Sequence, residues 1–218
     1  MTTTLTGAGN SSEVQKATLV TKEKYNKASI AGWNNPRTPL REMRLGGLKR
    51  LGVVFPYNPT LNLQGSVAYG QYDFTHANYQ PHFYTATHNQ QITLGFNFTA
   101  STLEEANYML GFMHFLRTIT KMNFGKGDDL AGMPPPVLEF SCYGDFQFKK
   151  VPVVIRNYSY DQTGQEDYVD TSYNTQVPTF LTGFVDVVTN YTPGKVLSEF
   201  TLQDFANGKL IKSGKGFI

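Results

Sequence analysis

Between residues 91 and 122 the spacing of apolar side chains changes period once. Ile92, Leu94, Phe96 and Phe98 alternate with Gln91, Thr93, Gly95 and Asn97, the period of two imposed on a strand with one buried face. The next segment, STLEEANYMLGFMHFLRTITKM, predicts a helix from Thr102 to Met122. Ser101 is placed to cap it, with Glu104 three residues on reaching back to its amide. Glu104 and Glu105 suit the first turn, and Arg117 and Lys121 the far end. Ala106, Met109, Leu110, Met113 and Leu116 make one apolar stripe; Tyr108, Phe112, Phe115, Ile119 and Met122 extend a second. Two stripes need two surfaces: the first is expected against this subunit's sheet, the second against another subunit or a loop.

Strand patterns recur downstream. PVLEFSCYG and FQFKKVPVVIRNYSYD flank Gly144 and Asp145 and predict an antiparallel hairpin. Pro152 is expected at a bulge or strand boundary, because it brings no amide donor. Pro134, Pro135 and Pro136 deliver the chain to this hairpin in extended form. A polar connector, QTGQEDYVDTSYNTQ, leads to a long strand over 177–188, and 198–218 reads as a short amphipathic helix with a basic terminus. In 61–90, Tyr69, Tyr72, Phe74, Tyr79, Phe83 and Tyr84 interrupt a polar background without Ile. One or two strands are expected there, ordered against neighbours and not by a core of their own.

Composition adds a reason to look for contact surface. With 16 Phe and 13 Tyr in 218 residues, the aromatics exceed what one small core absorbs, and interfaces are where large aromatics concentrate. Charge is unevenly placed: residues 1–50 carry nine Lys/Arg against three Asp/Glu, 51–190 six against twelve, and 191–218 four against two. A basic start of this kind docks on an acidic neighbour or binds nucleic acid. Nothing in the chain reads as a secretion signal or a membrane span.

The candidate chemistry is thin. GKGDD at 125–129 lacks phosphate-loop spacing, and Asp128 and Asp129 read as a solvated turn. His76, His82 and His88 recur every six residues without a familiar ligand pattern; His114 sits between the helix stripes. Glu166, Asp167 and Asp170 fall in the polar connector. Cys142 is the sole cysteine, so no intrachain disulfide exists, and its strand context predicts an inert buried thiol. No catalytic residue, metal or cofactor is expected. A hydrolytic enzyme is the most distant reading, and a nucleic-acid-binding module using the Lys16 to Arg50 arm is the alternative.

The segments LGVVFPYNPTLNLQGSVAYGQYDFTHANYQ, ASTLEEANYMLGFMHFLRTITKM, GMPPPVLEFSCYG, KVPVVIRNYSYD, VPTFLTGFVDVV and FTLQDFANGKLIKSGKGFI together resemble baseplate proteins of contractile-tailed bacteriophages that have the tail-tube fold. The resemblance covers residues 45–218. It implies an α+β fold, mainly an antiparallel β barrel or sandwich with a packed helix, as a tail-tube-like domain over 45–197; a basic N-terminal arm (1–44) and a C-terminal extension (198–218) extend beyond that core. It further implies a homo-oligomeric ring, hexameric in that family, in the baseplate hub or at its junction with the tail tube. Hub, tube and wedge or sheath proteins would be its neighbours, and phage DNA would pass through the lumen. The location implied is the virion's tail baseplate, assembled in the host cytoplasm. Trp33, Leu45, Tyr57, Phe112, Phe115, Phe200, Phe205 and Phe217 are the residues expected at intersubunit contacts.

Overall fold

The computed structural model describes residues 16–22, 37–45, 51–124, 131–162 and 167–218. Its strands, in chain order, are β1 (Thr18–Thr21), β2 (Gly52–Val54), β3 (Thr60–Gln64), β4 (Val67–Gln71), β5 (His82–Thr87), β6 (Gln91–Thr99), β7 (Leu138–Cys142), β8 (Phe148–Asp161), β9 (Tyr168–Asp170), β10 (Gln176–Pro178) and β11 (Phe180–Thr189). The helices are α1 (Leu103–Ile119), α2 (Pro193–Glu199), α3 (Leu202–Ala206) and α4 (Lys209–Lys212), with a 3-10 turn at Pro39–Met43. Seven strands form one antiparallel sheet in the order β2-β1-β7-β8-β11-β6-β3, while β4–β5 and β9–β10 are separate ribbons. This is the mixed, mainly antiparallel architecture expected, and it is compatible with a sandwich.

The two outer strands of the large sheet, β2 and β3, are consecutive in the chain and joined by residues 55–59. Six residue steps reach roughly 20–22 Å at full extension, whereas the outer strands of a flat seven-stranded sheet lie about 29 Å apart. The sheet therefore has to curl. Phe55, first residue of the link, sits inside the curl with its ring 6.3 Å from those of both Phe96 and Phe98 on β6. Phe112 of α1 completes the group, stacked 4.5 Å from Phe98 and edge-on 4.9 Å from Phe96. All four rings are buried, each contributing about 1.5–3 kcal/mol of burial.

Close packing here requires a glycine. Gly183 of β11 pairs with Phe96, and a Cβ added to it would lie 2.7 Å from Phe96 Cζ and 2.2 Å from the Ser159 carbonyl oxygen. Gly95, on the opposite face of β6, has 3.6 Å of room to its nearest neighbour, Thr60 Cβ.

The helix starts one residue later than expected. Thr102 is the N-cap: its hydroxyl accepts from the Glu105 amide at 3.3 Å, and the Glu105 carboxylate accepts from the Thr102 amide at 3.2 Å and the Ser101 amide at 2.8 Å. Those backbone donors, Ser101 first, hold the Glu105 carboxyl below its ordinary range. Ser101 and Glu104 have the same spacing but do not make the box. The helix also ends three residues before Met122, because Asn123 pairs through its backbone with Met133 and Gly132.

Within α1 both stripes are covered by this chain, with Tyr108 and Leu110 half-buried, while Met122, past the end of the helix, is 49% exposed; the second stripe, expected against another subunit or a loop, sends Phe112 onto the subunit's own sheet. The sheet covers Phe112, and the 3-10 turn lies so close to the helix that a Cβ on Gly111 would stand 2.8 Å from the Pro39 carbonyl oxygen. The β9–β10 ribbon, which replaces part of the expected polar connector, is tied on by Asn107: its Nδ2 donates to Ser172 Oγ at 3.0 Å and its Oδ1 accepts from the Ser172 amide at 2.9 Å. Tyr173 of the same ribbon donates to Glu42 Oε1 of the turn at 3.0 Å.

The β7–β8 hairpin forms as expected. Pro152 lies inside β8 and not at its boundary, yet its carbonyl accepts from the Asn190 amide just past the end of β11. Its missing donor thus faces a side where the ladder has stopped. The β7–β8 register shifts between Phe140 and Cys142, just before Pro152, where Lys150 has a φ of 53°, and a second irregularity falls at Arg156 in the β8–β11 pairing. The terminal segments are built into the fold where they are described. β1 lies between β2 and β7, and the tail turns back so that Gly216 meets the Lys150 carbonyl and Pro152.

Gly183→Ala is expected to lower the unfolding free energy by about 1–3 kcal/mol through overpacking, while Gly95→Ala is neutral or stabilising by about 0.5–1 kcal/mol; urea midpoints with unchanged slopes measure both. In the same assay Thr102→Ala costs about 1 kcal/mol and Ser101→Ala leaves the midpoint in place.

Candidate interaction surfaces

Opposite the sealed core, the sheet has a second face made of the other half of each alternation. Across β3, β6, β11 and β8 the paired rows read Asn62, Thr93, Asp186, Asn157; then Thr60, Gly95, Phe184, Ser159; then Asn97, Thr182, Asp161. None of these residues is buried. The rows are cross-linked by side chains: Thr93 Oγ1 donates to Asp186 Oδ1 at 2.6 Å, Thr182 Oγ1 to Asn97 Oδ1 at 3.0 Å, and Arg156 Nη1 to Gln91 Oε1 at 3.2 Å. Hydroxyls and amides dominate, with Asp161 and Asp186 set against Arg156.

The two edges of the sheet are chemically unlike. At β2, the Tyr108 hydroxyl accepts from the Val54 amide at 3.0 Å and donates to the Val54 carbonyl at 2.7 Å, so one phenol occupies both outward backbone groups. Burial pushes this phenol up to about 12, and it stays protonated at neutral pH. Among the described residues no strand pairs with the outer edge of β3, which leaves its backbone open to strand addition.

From β3 the chain runs directly into the β4–β5 ribbon, which stands off the sheet. Its strands are held by their own rings: Tyr69 edge-on to Tyr84 at 6.2 Å, and Tyr72 4.7 Å from Phe83. Phe83 also lies over Gly70, where an added Cβ would be 2.4 Å from the ring. Tyr69, Tyr72, Phe74, Tyr79, Phe83 and Tyr84 are all exposed, from 42% for Phe83 to 89% for Tyr79. These aromatics stand out in the sequence, yet none is among the expected contact residues; the missing signal was that the segment forms a ribbon projecting from the core.

The C-terminal elements make a further surface. Phe200 lies 6.0 Å from Phe205 and 5.6 Å from Phe217, and Phe217 stacks on Tyr191 at 5.0 Å. Tyr191 Oη donates to the Gly216 carbonyl at 3.0 Å and fixes the returning tail. Beside this cluster is an apolar groove of about 340 Å³, whose other side is formed by residues 87–90 at the base of the β4–β5 ribbon.

The expected contact residues therefore divide. Phe112 and Phe115 are 0% and 1% exposed; they belong to the core and offer nothing to a neighbour, Phe112 because it faces the sheet and packs on Phe55, Phe96 and Phe98. Phe217 is 4% exposed, stacked on Tyr191, and lines the groove together with Phe200 and the half-buried Phe205. Tyr57 is exposed and shares a hydrogen bond with Thr99 Oγ1 at 3.0 Å, and Leu45 is half-buried over Gly52. Trp33 lies outside the described residues, as do 125–130 with Asp128 and Asp129, and Glu166.

No catalytic constellation assembles from the remaining candidates. Burial, followed by the nearby Arg117 charge, holds His114 below its ordinary range, and burial pushes the Cys142 thiol up to about 11. Among the described residues no three His, Cys, Asp or Glu side chains are grouped to hold a metal ion, and no helix is long and apolar enough to cross a membrane. Compared with models of known protein families and with curated protein sequences, the chain matches none.

Tyr108→Phe removes the partner of both Val54 groups and is expected to cost about 1–3 kcal/mol. Hydrogen exchange checks the cause: protection at the Val54 amide should fall, with β6 and β11 unchanged.

Proposed function

We propose that this chain is a structural ring subunit of a contractile phage tail, placed in the baseplate hub or at its junction with the tail tube. The observation that carries the reading is the open polar face of β3, β6, β11 and β8, backed by a core that is already sealed. Around the exposed Phe180 and Phe184, this face consists of hydroxyls, amides and two carboxylates, which need no apolar cover, and it suits the wall of an aqueous conduit. Copies arranged around an axis would present this face to the lumen. Its weak negative character would keep passing DNA from adhering, since like charges repel and Arg156 is already engaged with Gln91.

The resemblance in sequence supports the same reading, as do the uncovered edge of β3 and the aromatic ribbon, both of which suit assembly. The alternative, a nucleic-acid-binding arm, draws on residues 16–50, yet the described parts of that stretch are engaged in the fold as β1 and as the turn over α1. The subunit would act without chemistry, as a template for tube polymerisation.

Electron microscopy of native particles tests the proposal. The expected image is a ring at the hub-to-tube junction with Asn97, Thr182 and Asp186 facing the channel; a solitary chain, or a ring with this face turned outward, overturns it. Replacing Lys24, Lys27, Lys49 and Arg50 with Gln, which leaves β1 in place, is expected to weaken incorporation into baseplates. A salt-dependent loss of DNA affinity with normal incorporation would favour the alternative instead.

A further inference from the structure

Among the described residues, the aromatic ribbon and the C-terminal groove are two apolar surfaces left open, and they are different in shape. The ribbon is a knob. Its six exposed aromatics offer on the order of 700 Å², close to the ~800 Å² that each partner contributes to a stable interface. The groove is concave, about 340 Å³, with Val196, Phe200, Leu202 and Phe205 along it. Leu202 is 73% exposed, a large apolar side chain without cover.

Charge narrows the occupant. Residues 60–92 contain one carboxylate, Asp73, and no Lys, Arg or Glu, and no Lys, Arg, Asp or Glu lines the groove. Two surfaces without charged side chains of their own join without stripping water from a charge; Lys195, beside the groove, is already engaged, lying 5.2 Å from the centroid of the Phe217 ring and donating to the Lys215 carbonyl. Tyr79 is the most exposed aromatic of the ribbon.

We infer that the ribbon tip of one copy, led by Phe74 and Tyr79, docks into the groove lined by Phe200 and Leu202 on a second copy. The chain cannot make this contact with itself, because the groove adjoins the base of its own ribbon and the strands carry the tip about 17–20 Å away. Knob and groove are distinct surfaces, so the contact is head-to-tail. It deepens the ring reading and rests on it only for closure into a ring.

The test uses the full chain and mass photometry. Phe74→Ser with Tyr79→Ser, and separately Leu202→Lys, are each expected to raise the dissociation constant of self-association about tenfold or more, with urea midpoints confirming that both variants fold. Mixed together, the two retain one intact knob and one intact groove, and they should form dimers that grow no further. Tyr79→Cys combined with Leu202→Cys should give inter-copy disulfides on oxidation, without competition from the buried Cys142. Parent protein that stays monomeric at every concentration overturns the inference, and so does a mixture that fails to dimerise. Association unaffected by either variant overturns this contact while leaving the ring reading intact, since the latter is decided separately on native particles.

Discussion

The short link between β2 and β3 constrains everything else in the fold. Because the outermost strands of a seven-stranded sheet are neighbours in sequence, the sheet has to bend until five residues can bridge its mouth. That bend brings Phe55 onto Phe96 and Phe98, and the hollow it creates is the place α1 fills with Phe112. A longer link would have let the sheet flatten, exposing the aromatic core to water. Gly183 follows from the same constraint, since the curl presses β11 against the ring of Phe96.

Sealing one face so completely leaves the other face free of structural duty. Alternation along β6 and β11 sends Ile92, Leu94, Val185 and Val187 inward and Thr93, Asn97, Thr182 and Asp186 outward. The outward set is knitted by its own hydrogen bonds, so its side chains hold their positions without a covering layer. Fold and surface chemistry are in this sense two readings of one period-two pattern.

What was legible in the sequence was local. β6, α1 and the β7–β8 hairpin each announce themselves within a window of about twenty residues, by period and by turn. The cap register was missed by one residue because Ser101 with Glu104 and Thr102 with Glu105 satisfy the same spacing, and only the backbone decides between them. β1 was unreadable for a different reason: four residues, TLVT, owe their strand form to partners on both sides, a tertiary effect that propensity does not carry. The cover of the second helix stripe and the walls of the groove come from segments tens of residues away. Phe112 and Phe115 were accordingly assigned outward when the chain itself covers them.

Tyr108 gives the sheet a valence. With the Val54 groups of β2 occupied by a phenol and β3 open among the described residues, the seven-stranded sheet has one edge to offer and one that refuses. Two copies can join through it open edge to open edge, but a third finds no vacancy there, so pairing through this sheet terminates at a pair. A larger assembly must draw on the ribbons and on side chains, which puts the number of copies under the control of shape.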